Sequence, residues 1–227
     1  MGELARIPVV LWIKTLIVHG SSWSTEAFDI AVRAIRNERN ERTLSDEATA
    51  ILGYGRTRAD RILACSPERA TVLAAGRLGA DETTVHALPL PSSLNAHAVW
   101  RRLTITLSWF TPIRSSHRKY RGASLYFEPP SNGNVLLVQR KDADWRAVRR
   151  GTVQHEVLEA QRGAINIAPD GVLQIPVTCQ VDAGPVDEAV DYAMAITLEV
   201  AAGANTRIYD EIRERIRPRV PVQPGAA

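Results

Sequence analysis

The sequence predicts a mainly β protein with an α-helical N-terminal segment, and three observations lead to this fold class. Residues 101–112 alternate apolar and polar side chains at a spacing of two, which is typical of a half-buried strand. Further strand-like stretches, separated by turn residues, follow residue 70. Before residue 65, the apolar residues instead favour helices. We therefore expect a two-sheet, jelly-roll-like β-sandwich with helices in front of it.

The N-terminal segment opens with the most apolar stretch of the chain, residues 8–20. A proline suits its first helical turn, a glycine suits its C-terminal cap, and apolar residues lie nearly all round, which predicts a helix buried on most sides. Residues 26–40 predict a second helix that Ser24 or Thr25 would cap. Shorter helices are expected at residues 46–52 and 58–65.

The central strand carries Leu103, Ile105, Leu107 and Trp109 on one face, which we expect to point into the core. Its other face carries hydroxyl side chains such as Thr106, which we expect to be solvated. The remaining strands are expected at residues 71–78, 84–90, 123–128, 135–139, 152–159, 172–181 and 192–200.

The C-terminal residues 206–216 predict an amphipathic helix, and the residues after it are too rich in proline to pack. The expected domains are a helical segment at 1–64, a β-sandwich at 70–204, and a C-terminal helix with its tail at 205–227.

The apolar N-terminal helix raises the question of what covers it. The two sheets of a sandwich use their apolar faces against each other, so they are not expected to shield it. We therefore expect an exposed apolar patch around Trp12, Leu16 and Ile17.

Composition favours a globular protein, with 45% apolar and 23% charged residues among 227. We find no apolar run long enough to span a membrane and no secretion signal. Cys65 and Cys179 are isolated, which favours a reducing compartment, and we expect the cytoplasm. Basic clusters at residues 114–121 and 146–150 suggest either a nucleic-acid patch or solvated loops between strands. We favour loops, because positive charges also protect exposed sheet edges, and the net charge of +3 says little about partners.

The sequence offers no convincing site for chemistry. It has no cysteine and histidine spacing for zinc, no phosphate-binding glycine loop and no hydrolase nucleophile elbow. His19 near Ser21 and Ser22 suggests helix capping more than a nucleophile and its base, and Cys179 lies on an apolar strand face. His155 and Glu156 are neighbours on one strand, so they should point to opposite faces. We therefore predict no catalytic, cofactor-binding or metal-binding residue.

Several stretches nevertheless resemble a known family. KTLIVHGSSW (14–23) and GYGRTRADRIL (53–63) resemble the last part of a subtilisin-like serine peptidase (subtilase) domain. RRLTITLSWFTPI (101–113), YRGASLYFEPP (120–130) and DWRAVRRGTVQHEVLE (144–159) resemble the β-rich C-terminal region of a bacterial subset, whose genes often lie beside one for an AAA-type ATPase. The resemblance covers residues 7–216 and implies the terminal helices of a subtilase domain followed by an accessory β-sandwich.

The sequence departs from this family where the chemistry would be. The family's triad lies in an Asp motif, an HGT-type His motif and a GTS Ser motif, and none of them occurs here; nor does the segment with the oxyanion asparagine. The resemblance thus implies a C-terminal fragment of a serine endopeptidase that is inactive alone. It would be one half of a split peptidase, with an upstream polypeptide that carries the triad, or a truncated remnant. The alternative is a stand-alone interaction module, for example one that binds an AAA-type ATPase.

Overall fold

A computed structural model describes residues 7–34, 51–95, 98–111, 113, 115, 120–128, 139–140, 151–160, 167, 171–182 and 188–216. The helices are α1 (Val9–His19), α2 (Thr25–Ala34), α3 (Ala59–Leu63) and α4 (Ile208–Ile216), with a short 3₁₀ helix at Ser92–Leu94. The strands are β1 (Ser21–Ser22), β2 (Arg56–Thr57), β3 (Arg69–Leu78), β4 (Thr83–Pro89), β5 (Arg101–Trp109), β6 (Ala123–Phe127), β7 (Gln139–Arg140), β8 (Val153–Ala160), β9 (Val172–Val181) and β10 (Val190–Val200).

The strands form three antiparallel sheets, and two of them pack around one core. The larger sheet has the order β3-β10-β5-β8-β7, and the smaller has the order β4-β9-β6. Strands β1 and β2 form a separate pair in the N-terminal segment. The fold is therefore mainly β with helices, as predicted. The jelly-roll assignment stays a prediction, because residues 129–138 and 141–150 lie outside the described residues.

The core lies between the two larger sheets. Leu103, Ile105, Leu107 and Trp109 are each at most 1% exposed and contribute to it, so their predicted direction is confirmed. The facing sheet adds apolar residues of β6 and β9. Helix α4 closes part of this core with Ile208 and Ile212. The alternation seen in the sequence therefore fixes the register of the central strand.

The second face of β5 is buried as well, which contradicts the expectation that it is solvated. Thr106 and Ser108 are fully buried. Helix α1 packs against this face and also contacts β8 and β10. The sandwich therefore does shield α1, and the expectation that it would not is wrong. A sandwich also has outer faces, and the outer face of the larger sheet covers α1.

The exposed side of α1 also differs from the expected patch. Trp12 is half-buried and packs with Ile7, Leu11 and Ala193 on the outer face of the sheet. The exposed apolar side chains are instead Val9, Val10, Ile13 and Ile17, at 70%, 63%, 51% and 49%. Of the three residues in the expected patch, Ile17 is exposed, and Leu16 is half-buried like Trp12.

Two helix boundaries follow from local chemistry. The Ser24 hydroxyl accepts a hydrogen bond from the backbone N–H of Ala27 (3.1 Å), so Ser24 caps α2 as predicted. Gly20 ends α1 in a right-handed conformation rather than the left-handed one that glycine caps favour. A Cβ atom at Gly20 would lie 2.5 Å from Ile62 Cγ1, so the glycine allows α3 to approach the end of α1.

Other expectations fall partly outside the described residues. These are the segments at 35–50, 135–138, 142–150 and 217–227, and the division into domains stays a prediction. No helix in the described part of the chain is long and apolar enough to cross a membrane.

Candidate functional site

A layer of buried polar side chains lies between α1 and the larger sheet. His19 is at its centre, with Nδ1 2.9 Å from the Thr106 hydroxyl and Nε2 2.6 Å from the Thr197 hydroxyl. The Thr106 hydroxyl also lies 2.7 Å from Nδ1 of His155, and the Thr197 hydroxyl lies 2.7 Å from that of Thr71. One continuous chain of hydrogen bonds thus crosses four strands, from β8 to β3.

Spacing in the sequence produces this layer. Leu11, Thr15 and His19 recur every four residues, so they share the buried face of α1. On β5, Thr106 and Ser108 share the face that meets the helix. The Thr15 hydroxyl donates to the Leu11 carbonyl (2.8 Å) and contacts the Ser108 hydroxyl. Helix and sheet are therefore joined by matched polar groups rather than by apolar packing alone.

Lys14 and Tyr54 form hydrogen bonds with backbone carbonyls at the edges of this layer. Lys14 Nζ donates to the backbone carbonyls of Trp109 and Thr152, both at 3.0 Å. Burial lowers the pKa of this amine. Tyr54 donates to the Val153 carbonyl (3.3 Å), and its ring meets that of His155 edge to face at 5.8 Å. The glycine-flanked Tyr54 thus covers the β8 end of the layer.

Burial keeps both histidines neutral. It lowers the pKa of His19 to about 3, with further lowering by His155, Arg69 and Arg61. It lowers the pKa of His155 to about 4, with a smaller contribution from Arg61. A general base works best when its pKa lies near the operating pH, and these imidazoles are too weakly basic. The layer therefore suits the positioning of α1 rather than acid–base catalysis.

The chain of hydrogen bonds is complete with neutral imidazoles. Each hydroxyl donates once and accepts once, and each imidazole carries one proton. Donation can run from Thr71 through Thr197, His19 and Thr106 to His155, or in the opposite direction. Every group between the two ends of this chain therefore has a partner in both cases.

A second buried polar group lies on the inner side of β8. The Gln154 side chain accepts from the backbone N–H of Phe127 (3.0 Å) and donates to the Phe127 carbonyl (2.9 Å), which ties β8 to β6 in the opposite sheet. Glu156 is fully buried on the same side, 3.4 Å from Gln154 Nε2. His155 and Glu156 do point to opposite faces, as expected, so they do not form an acid–base pair.

The other residues considered from the sequence have structural positions. The Ser21 hydroxyl donates to the Ile17 carbonyl (2.8 Å) at the end of α1, so capping is confirmed for Ser21. It is wrong for His19, which bonds to threonines of the sheet. Cys179 lies in the core, where burial raises the pKa of its thiol to about 11, and Cys65 is an exposed free thiol.

Most of the two basic clusters lies outside the described residues. Of the described members, Arg121 pairs with Asp182 at 2.6 Å, and Tyr120 is exposed. No group of three or more potential metal-ligating side chains occurs among the residues that the structure describes.

Comparisons with known proteins leave the family open. No protein-family model matches the chain, and no curated protein matches it. The subtilase resemblance therefore rests on the quoted sequence stretches alone.

Sequence reasoning missed the polar layer. The alternation of hydroxyl residues on β5 was visible, but such a face is equally typical of a solvated surface. A stronger signal was available in α1, where Thr15 and His19 interrupt an otherwise apolar helix at a spacing of four. Two polar residues on one face of an apolar helix predict a polar partner surface.

Proposed function

We propose that this chain is the C-terminal, non-catalytic part of a cytoplasmic subtilisin-like serine endopeptidase, and that it acts with a separate polypeptide that carries the triad. The observation that supports this proposal best is the exposed apolar side of α1. The polar layer fixes one side of the helix on the sandwich, and Val9, Val10, Ile13 and Ile17 face away from it.

The exposed side chains form a stripe suited to a protein partner. Val9, Ile13 and Ile17 recur every four residues, and Val10 lies beside them. Leaving a large aliphatic side chain in water forfeits roughly 1.5–3 kcal/mol relative to burial. Contiguous exposed apolar surface of this kind marks interaction sites. A preceding peptidase domain would cover the stripe.

The two N-terminal stretches that resemble a subtilase also pack together, which supports their origin in one domain. Strand β1 pairs with β2, and the backbone N–H of Arg58 donates to the Gly20 carbonyl (3.0 Å). The Trp23 indole N–H donates to the Gly53 carbonyl (3.0 Å). Residues 35–50 separate the two stretches in sequence and lie outside the described part of the chain.

In this role the chain itself catalyses no reaction. The triad motifs of the family are missing from its sequence, and the buried histidines are poor bases. The sandwich would stabilise the peptidase and hold partners, while the upstream polypeptide would supply nucleophile, base and oxyanion donors.

Co-expression with the product of the adjacent upstream reading frame tests this proposal. We expect the two chains to copurify and a fluorophosphonate probe to label only the upstream product. Replacing Ile13 and Ile17 with Asp should abolish copurification. Val85→Asp on β4 is the control, since Val85 is similarly exposed but belongs to the smaller sheet, whereas α1 packs on the larger one. Labelling of this chain, or an upstream frame without a GTS-type serine motif, would refute the split peptidase.

A second candidate function is a stand-alone interaction module, with an AAA-type ATPase as one proposed partner. Strand β3 is the terminal strand of the larger sheet in the described part of the chain, and this edge favours such a role independently of α1. Copurification of the ATPase with the unmodified chain, while the upstream product does not copurify with it, would favour the module over the split peptidase.

A further inference from the structure

A groove lies between the edge of β3 and helix α4. Its volume is about 430 Å³, and its walls are residues 70–73 of β3 and Tyr209, Ile212, Arg213 and Ile216 of α4. Side chains of successive strand residues point to opposite faces. Four consecutive residues can all line the groove because it runs along the backbone edge of the strand.

The hydrogen-bond register shows which backbone groups face this groove. The N–H of Val200 donates to the carbonyl of Glu68, the residue before β3, so this end of the ladder begins with a hydrogen-bonded position. Bonded and non-bonded pairs alternate along an antiparallel ladder. Residues 70 and 72 therefore bond to β10, whereas the N–H and C=O groups of Thr71 and Leu73 point outward.

The start of the strand agrees with this register. Arg69 should also direct its backbone groups outward, and its N–H and C=O bond to the carbonyl and N–H of Ser66 at 2.9 and 3.0 Å. Further along, β3 is the terminal strand of its sheet in the described part of the chain. Among the described residues, no group bonds to the outward backbone groups of Thr71 or Leu73. This edge is an open template for another strand.

The side chains around the edge indicate what such a strand would carry. Leu73 and Ile216 are each 45% exposed, and Ile212 also lines the groove, so its lining is largely apolar. Arg213 is exposed in one wall, above the Tyr209 ring at 5.9 Å, and has no ion-pair partner among the described residues. The groove thus offers one cation beside apolar surface.

We propose that this groove binds an extended segment of a partner protein, which adds to β3 as a sixth strand of the larger sheet. The backbone of the segment bonds to Thr71 and Leu73, alternate apolar side chains enter the groove, and a carboxylate pairs with Arg213. A second copy of this chain fits less well, because it would bring its own α4 against a groove that already has a helix as one wall.

A phage-displayed library of random heptapeptides, selected on the immobilised full chain, tests the proposal. We expect enriched sequences with apolar residues at alternate positions and an acidic residue. The best sequence is then made as a fluorescein-labelled peptide, and its binding is measured by fluorescence polarisation. Hydrogen exchange at the amides of Thr71 and Leu73 should slow on binding, while the already bonded amide of Val72 changes little.

Variants of the protein test the backbone, apolar and charged contacts of the bound segment one at a time. Leu73→Pro removes one outward N–H without breaking the bonds to β10, and it should weaken binding at least about tenfold. Leu73→Ala keeps that N–H and is the control for the lost side chain. Arg213→Gln should weaken acidic peptides about threefold to tenfold. Arg207→Gln makes the same change in net charge outside the groove and should have no effect.

N-methylated peptides provide a test that needs no variant of the protein. Methylation of alternate amides in one register should abolish binding, and methylation in the other register should leave it nearly unchanged, since only one edge of the peptide faces β3. Equal binding of both forms would overturn the proposal. So would enrichment of the same sequences on Leu73→Pro, no enrichment at all, or a dimer of the chain that occupies the edge.

Discussion

Single hydroxyl groups hold α1 on the sheet. The Thr106 hydroxyl contacts imidazole nitrogens of both His19 and His155, so one atom joins a helix and a strand that are far apart in sequence. Both imidazoles are buried and neutral, and each loses a partner if this hydroxyl is removed. An unsatisfied buried polar group costs about 1–3 kcal/mol.

Thr106→Val should therefore lower the free energy of unfolding by about 2–3 kcal/mol, although it keeps the shape of the side chain. Urea denaturation followed by tryptophan fluorescence measures the change. Thr104→Val is the control: Thr104 lies on the same face of β5 but is only half-buried, so the cost should be below about 0.5 kcal/mol. Equal small effects at both positions would contradict a structural role for the layer.

Trp109 tests the opposite face of the same strand. Its side chain is fully buried in the core, so Trp109→Ala should destabilise the fold by about 3–5 kcal/mol through lost burial and a cavity. Because both faces of β5 are buried, Trp109→Ala and Thr106→Val should lower the free energy of unfolding by amounts of similar order. If the Thr106 face were solvated, the loss in Thr106→Val would be much smaller. Guanidinium denaturation monitored by circular dichroism provides the comparison.

Among the elements, β8 connects three layers. Its outer face carries His155 beneath α1, and its inner face carries Gln154, whose amide completes the hydrogen bonds of Phe127 on β6. The side chain thus replaces a backbone neighbour at the edge of the smaller sheet as the structure describes it. The two sheets are consequently joined by a specific polar contact as well as by apolar packing.

Gln154→Leu should cost about 2–4 kcal/mol, because it leaves the Phe127 N–H and C=O unpaired in the core. The midpoint of thermal unfolding should fall accordingly. Gln174→Leu on β9 makes the same chemical change at an exposed site and should shift the midpoint little. A stability gain for Gln154→Leu would mean that the amide does not bridge the sheets.

The elements also show what the sequence could predict. The register of β5 was predictable, because Leu103, Ile105, Leu107 and Trp109 can only share a core face. The burial of Thr106 was not, since a hydroxyl-rich strand face looks the same whether water or a helix covers it. For a related reason the sequence did not show which side of α1 packs on the sheet. The helix is apolar nearly all round, and only Thr15 and His19 distinguish the side that meets the sheet.

At the scale of the whole molecule, neutral buried histidines couple stability to pH. Their pKa values in the folded protein, about 3 for His19 and about 4 for His155, lie below the ordinary value of 6.5. The unfolded chain therefore binds more protons between these limits. Stability is fully present above pH 6.5 and is lost as the pH falls toward the folded values. His86, whose pKa burial also lowers, acts in the same direction.

As the pH falls from 6.5 to about 5, each of the two histidines of the polar layer takes up a proton in the unfolded chain but not in the folded one. We expect this to lower the free energy of unfolding by about 2 kcal/mol for each histidine. Exposed carboxylates contribute little in this window, because their ordinary pKa values lie below it. The measurement is the slope of unfolding free energy against pH, from urea titrations at half-unit steps. His155→Gln should reduce that slope by about 1.4 kcal/mol per pH unit near pH 5.5, even though it destabilises the protein at neutral pH. An unchanged slope in this variant would mean that His155 takes up its proton in the folded state, which is incompatible with a neutral layer beneath α1.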